Sequence, residues 1–247
     1  MSVPASSTPK WVPIESNPDV FTAYAQSLSF PTEAYRFYDI FGLDPDLLSM
    51  VPQPVKAVLL LFPTGKEQDG KSERLEAEGK VWPAGKEESE RPGGVLWIPQ
   101  TIGNACGTMG LLHGLANAGV DLPRDSPLGA FFALSRTLPP TERTALLASS
   151  TLLERAHSVA SGTGQTILRE EDNDTNLHFT CFVQARAQDG RAHLIELDGR
   201  RKGPIDHGVS TDLLTDSAKL VETFFMSTYP DSNTYSLMAL GPASDDF

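Results

Sequence analysis

Cysteine is scarce in this 247-residue chain: there are two, Cys106 and Cys181. Two thiols do not make a disulfide framework, so a reducing compartment is expected, the cytoplasm, with access to the nucleus left open. Neither C-x-x-C nor a paired Cys/His spacing occurs, and structural zinc needs about four soft ligands. No metal or cofactor is expected. A run of about 18 apolar residues is also missing, which argues against a membrane-spanning helix. The opening MSVPASSTPKW has no basic segment followed by an apolar one, so no secretory signal is expected. Positive charge is short as well: 20 Lys and Arg face 32 Asp and Glu, a formal net charge of −12. That balance speaks against nucleic-acid binding, which needs a basic patch on phosphate, and leaves a cationic partner or plain solubility.

What is present has the rhythm of a single α+β domain, without repeats, a linker or a regular βαβ alternation. Asn17 and Pro18 form a cap and first turn for an amphipathic helix over 19–28. AYRFYDIFG (34–42) is β-prone, DPDLLSM (44–50) a short helix, and KAVLLLFP (56–63) a buried strand. Residues 64–94 turn polar and read as a surface excursion with one short helix at ERLEAEG. GVLWIP (94–99) reads as a strand. Helices follow over 104–119, 126–138 and 140–160, then a polar stretch over 161–176. LHFTCFVQAR (177–186) and RAHLIELDG (191–199) form a hairpin around AQDG. A helix over 211–228 and a strand over 234–242 close the chain.

Cys106 lies in PQTIGNACGTMG (99–110), just after the expected strand. With Asn104 as N-cap it stands at the second helical position, where unpaired amides and the helix dipole favour a thiolate. A buried cysteine acting as a small hydrophobe is the competing reading. The thiol therefore needs a base among five histidines. His113, seven residues on along the helix, would stand about 10 Å away at 1.5 Å per residue, out of reach. His157 is expected to be solvated at a helix end, and His207 has no argument either way. A hairpin centred on residue 188 sets His178 opposite Asp198 on one face, with Cβ atoms about 4.5–5.5 Å apart. Asp198 could then fix the imidazole tautomer. His193 and Cys181 have the other parity and point with core residues. Gln100, before the Cys106 helix, could donate its amide to a developing oxyanion. Gln, Cys, His and Asp in that order describe a papain-like cysteine hydrolase.

Long collinear stretches resemble the ubiquitin C-terminal hydrolases, small deubiquitinating cysteine peptidases. They are WVPIESNPDV, DPDLLSMVPQPVKAVLLLFP, QTIGNACGTMGLLH, LHFTCFV, LIELDGRRKGPIDHG and YSLMALGP. The resemblance implies Cys106 as nucleophile, His178 as base and then acid, Asp198 as its orienter and Gln100 as oxyanion donor. It implies a papain-like α+β architecture over 1–247, with a central antiparallel sheet flanked by helices and a knotted backbone. A crossover loop at about 154–176 would arch over the site and restrict leaving groups to short or unstructured adducts. Residues 11–20 would help to dock ubiquitin, and the protein is expected to act as a monomer. A thiol hydrolase for another ubiquitin-like tag, and a silent ubiquitin-binding module, are the alternatives; all four chemical positions being filled speaks against the second.

Overall fold

The architecture is a six-stranded antiparallel sheet with helices on both faces. The computed structural model describes residues 10–165 and 175–244. Five strands fall where the alternating or continuous apolar runs place them: β1 (Tyr35–Asp39), β2 (Ala57–Pro63), β3 (Leu177–Arg186), β4 (Ala192–Leu197) and β6 (Ser236–Pro242). The fifth, β5 (Ile205–Val209), was not anticipated, because IDHGV is too short and polar to announce an edge strand. The order across the sheet is β1-β6-β2-β3-β4-β5. β2 lies at its centre, which explains why its run is apolar on both faces.

Two cores sandwich the sheet. One gathers Phe21 and Tyr24 of α1 (Pro18–Ser27) and Met109, Leu111 and Leu112 of α5 (Cys106–Asn117) against Leu59, Phe179 and Cys181. Asn17 caps α1 as expected, accepting from the Asp19 and Val20 amides at 2.9 and 3.3 Å. The other core packs α2 (Pro45–Leu48) and α9 (Leu213–Leu220), with the π-helical turn Val221–Met226 that continues it, on Val58, Leu60 and Phe182.

Helix α5 presses closely on the sheet because Gly107, Gly110 and Gly114 form its inner stripe. A Cβ at Gly114 would stand 3.2 Å from that of Ala57, and one at Gly110 3.6 Å from Phe179 Cβ. This close packing brings the first turn of α5 against the start of β3.

Three expectations about the connecting regions are corrected. Residues 64–94 are no loose excursion: they hold α3 (Lys66–Ala77) and α4 (Lys86–Glu90), with Gln68, Ser72, Trp82 and Ser89 buried. The helix expected over 140–160 is two, α7 (Pro140–Ala148) and α8 (Thr151–Ser161), split where the Ser150 hydroxyl caps Leu153 N. Residues 154–161, expected in the crossover loop, thus belong to α8, and 166–174 of that loop lie outside the described residues.

GVLWIP is extended and buried, yet joins no strand among the described residues. Side chains do the pairing instead. Asn117 bonds both Leu96 N and Leu96 O (2.8 and 2.9 Å), His113 Nε2 accepts from Ile98 N (3.0 Å), and Arg143 donates to Trp97 O (2.7 Å). Every buried backbone group needs a partner, and helix side chains supply it as well as a neighbouring strand would.

Candidate active site

The site forms where the start of α5, the start of β3 and the turn after β4 meet. Cys106 is the first residue of α5. The preceding Asn104 is not its cap: it has a left-handed backbone (φ 59°), and its amide donates to Trp11 O at 3.0 Å. Ala105 takes the cap position and offers no side-chain acceptor. The first amides of α5 therefore stay uncapped beneath the thiol, and the helix dipole favours negative charge there.

His178 stands between this thiol and Asp198. Its Nε2 lies 2.7 Å from Asp198 Oδ1, and the same ring interacts with the Cys106 thiol on its other side. The midpoint placed at residue 188 needs correction. The ladder pairs Cys181 with Leu197 and Arg186 with Ala192, a register two residues from the one expected, and ends before either member of the pair. A slip of two preserves which face a side chain takes. His178 therefore meets Asp198 diagonally, across the turn that follows β4.

That turn is drawn in tightly. Gln100 N donates to Gly199 O at 2.8 Å, and a Cβ on Gly199 would come within 2.9 Å of Gln100 Cβ. Arg200 N donates to Asp198 Oδ1 at 2.8 Å, and Trp97 Nε1 to Asp198 O at 3.1 Å. Gln100 Nε2 donates to Ile102 O at 3.0 Å, which fixes the amide beside Cys106 and leaves its second hydrogen uncommitted by that bond. All four residues named from the sequence are thus in one place, Gln100, Cys106 and His178 lining the same cleft with Asp198 behind.

Charge is arranged accordingly. Burial alone would raise the Cys106 thiol, but the hydrogen bond and charge of His178 and the Phe179 amide outweigh it and lower its pKa. Burial would depress His178, yet Asp198 and Cys106 raise it from 6.5 to about 9. Asp198 is also buried, and His178, Arg201 and the Arg200 amide bring it down from 3.8 to about 2. The arrangement favours a thiolate beside an imidazolium, a nucleophile and a proton donor in one pair. Cys181, by contrast, is fully buried and its thiol is pushed up by burial alone.

The remaining histidines are structural. His113 is buried and holds Leu197 O and Ile98, and burial lowers it to about 4. His157 is not solvated, as the sequence suggested, but buried and lowered to about 4 by that burial. It lies 2.8 Å from both Thr108 Oγ1 and Val12 O, with the Trp11 ring tilted against it, centroids 4.2 Å apart. The signal was present: Leu153, Ala156, His157 and Ala160 form one helical face. His193 pairs with Asp206 and His207 with Glu196, at 2.9 and 2.8 Å.

The family model for ubiquitin carboxyl-terminal hydrolase, family 1, matches residues 11–226. The chain belongs to this family. It is 37% identical over 240 residues to ubiquitin carboxyl-terminal hydrolase 3 of Arabidopsis thaliana, covering 96% of each. It is 35% identical to isozyme L1 of Equus caballus, covering 86% of this chain and 90% of that one. The fold is that of the UCH37 catalytic domain of Trichinella spiralis, solved bound to ubiquitin vinyl methyl ester. The TM-score is 0.70 at 20% identity, over 95% of this chain and 96% of that. As a family member the chain is a cysteine-type hydrolase of the ubiquitin carboxyl-terminal hydrolase kind.

Proposed function

We propose that this hydrolase cleaves small or unstructured adducts from the C-terminal glycine of ubiquitin, with Cys106 as nucleophile. The observation that carries the reading is His178 held between the Cys106 thiol and Asp198. Cys106 attacks the scissile carbonyl, and its own amide with Gln100 Nε2 receives the oxyanion. His178 gives its proton to the departing amine or thiol, and water, activated by the same ring, releases ubiquitin from the acyl-enzyme. Asp198 orients the ring and balances its charge. Thr175 and Leu177 line the cleft beside Cys106 and His178, which supports a limit on the leaving group. The net charge of −12 suits a basic partner and would speed encounter at low salt. Two free thiols suit a reducing, cytoplasmic setting.

Ubiquitin carrying a C-terminal electrophile tests this directly. A covalent adduct at Cys106, lost in Cys106→Ala while ubiquitin still binds, supports the reading. Tight binding with no adduct would make the chain a binding module, and no engagement would point to another tag.

A further inference from the structure

The polar helix α3 reaches into the site through one arginine. Asp198 uses Oδ1 for His178 Nε2 and Arg200 N, while its buried Oδ2 has no hydrogen-bond partner among the described residues. The group facing that oxygen is Arg201, with Nε at 3.3 Å. Arg201 is itself nearly buried, its side chain 10% exposed, and Nε likewise has no hydrogen-bond partner among the described residues. Its other end, Nη2, is held at 3.2 Å by Asp69 Oδ1 on α3.

Helix α3 is in turn clamped on two sides. Glu76 accepts from Lys202 N at 3.3 Å and meets Lys202 Nζ at 3.5 Å, fixing the same turn as Arg201. On the far side, Gln68 accepts from Thr228 at 2.7 Å, and Lys71 Nζ donates to Phe224 O and Thr228 Oγ1 at 3.0 and 2.6 Å. A helix anchored at both ends is a firm mount for a charged side chain.

We propose that Arg201 is a positioning residue that acts through Asp198, and that Asp69 on α3 holds it in place. This rests on the role given to Asp198 above. The arginine charge at Oδ2 keeps the carboxylate ionised and turned so that Oδ1 faces His178. Guanidinium and carboxylate attract strongly where water is excluded, and without a cation at Oδ2 the carboxylate has less reason to keep that rotamer. The charged or titratable groups around Asp198 are His178, Arg200 and Arg201, with Cys106 beyond the imidazole, Asp69 beyond the arginine, and His113 neutral beneath. Removing one cation from this set makes the thiolate harder to form.

The test is the pH dependence of Cys106 alkylation by iodoacetamide in the full chain, alongside turnover of a ubiquitin substrate. Cys181 is buried and does not interfere. In Arg201→Gln the acid midpoint of alkylation should move to higher pH. Its kcat should fall by roughly ten- to a hundredfold, with KM within about twofold of wild type, as for a misplaced catalytic group. Arg201→Lys should restore the midpoint but only part of kcat. Asp69→Asn should give a smaller fall of the same kind, and none further on top of Arg201→Gln. An unchanged midpoint and kcat in folded Arg201→Gln, a loss confined to KM, or additive effects of Asp69→Asn would each overturn the proposal. Should Arg201→Gln not fold, Arg201→Lys and Asp69→Asn carry the same comparisons. Wild-type Cys106 reacting no faster at neutral pH than an ordinary thiol would defeat the site reading, and this proposal with it. Loss in Asp198→Asn without loss in Arg201→Gln would defeat the proposal alone.

Discussion

His178 Nε2 lies 2.7 Å from Asp198 Oδ1, although the ladder joining their strands stops at Cys181 and Leu197. The pair is therefore held by the turn rather than by the sheet, and the turn is fixed by Gln100, Trp97 and the Arg200 amide. Asp198→Asn keeps the shape and removes the charge that orients and stabilises an imidazolium. It should lower kcat by on the order of 10²- to 10⁴-fold. Ubiquitin affinity, measured by titration in a Cys106→Ala background, should stay unchanged.

Gly199 permits the contact that brings the turn to the Cys106 loop. Gly199→Ala would place a Cβ 2.9 Å from Gln100 Cβ and 3.1 Å from Gln100 N, so the Gln100 backbone must move. A drop in kcat of about tenfold is expected from that displacement. The stability loss should be about 1–3 kcal/mol, typical of overpacking. Steady-state kinetics with urea denaturation of the same variant separates the two effects.

Stability should fall more steeply on the acid side than on the alkaline one. His113 and His157 are lowered from 6.5 to about 4 in the fold. Their contribution is complete above pH 6.5 and is lost as pH falls from 6.5 through 4. Asp198, lowered from 3.8 to about 2, adds its loss only as pH falls below 3.8. His178, raised from 6.5 to about 9, stabilises fully below 6.5 and loses this as pH rises through 9. Denaturant midpoints between pH 8 and 4 should show the steepest fall below 6.5. His157→Gln should cost stability at pH 7 yet flatten that slope by the uptake of about one proton.

Arg143 is a fully buried guanidinium whose bonds run to neutral acceptors: the carbonyls of Ala84, Gly85, Trp97, Ser135 and Leu138, and Ser89 Oγ. It ties α4, α6 (Pro127–Arg136) and α7 to the segment leading to Gln100. Arg143→Met would leave several buried acceptors unpaired, each costing about 1–3 kcal/mol, and should destabilise the chain by about 3–5 kcal/mol. Arg143→Lys should recover little, because an ammonium cannot span the same fork. Urea denaturation of both variants measures the difference.

The sequence carried the site better than it carried the scaffold. Cys106, His178 and Asp198 were legible because helix start and strand parity are local rules, and parity survives a register error of two residues. What failed depended on distant partners. GVLWIP has a strand's composition, and only the placement of Asn117, His113 and Arg143 shows that helices pair it instead. Residues 66–77 lack an apolar stripe, so only the second half of α3, at ERLEAEG, was anticipated: its buried contacts are polar, through Gln68 and Ser72. Asn104 looked like a cap from its residue type, but asparagine also tolerates the left-handed backbone it adopts.

The arm ending at Gln100 links the site to distant parts of the chain. A strand can zip onto its neighbour pair by pair. This arm instead draws its partners from Glu88 on α4, His113 and Asn117 on α5, Arg136 on α6 and Arg143 on α7. Its full set of bonds exists only where all four helices and the turn after β4 converge on it. The place of Gln100 beside Cys106 thus depends on α4, α6 and α7, whose residues are not among those lining the cleft.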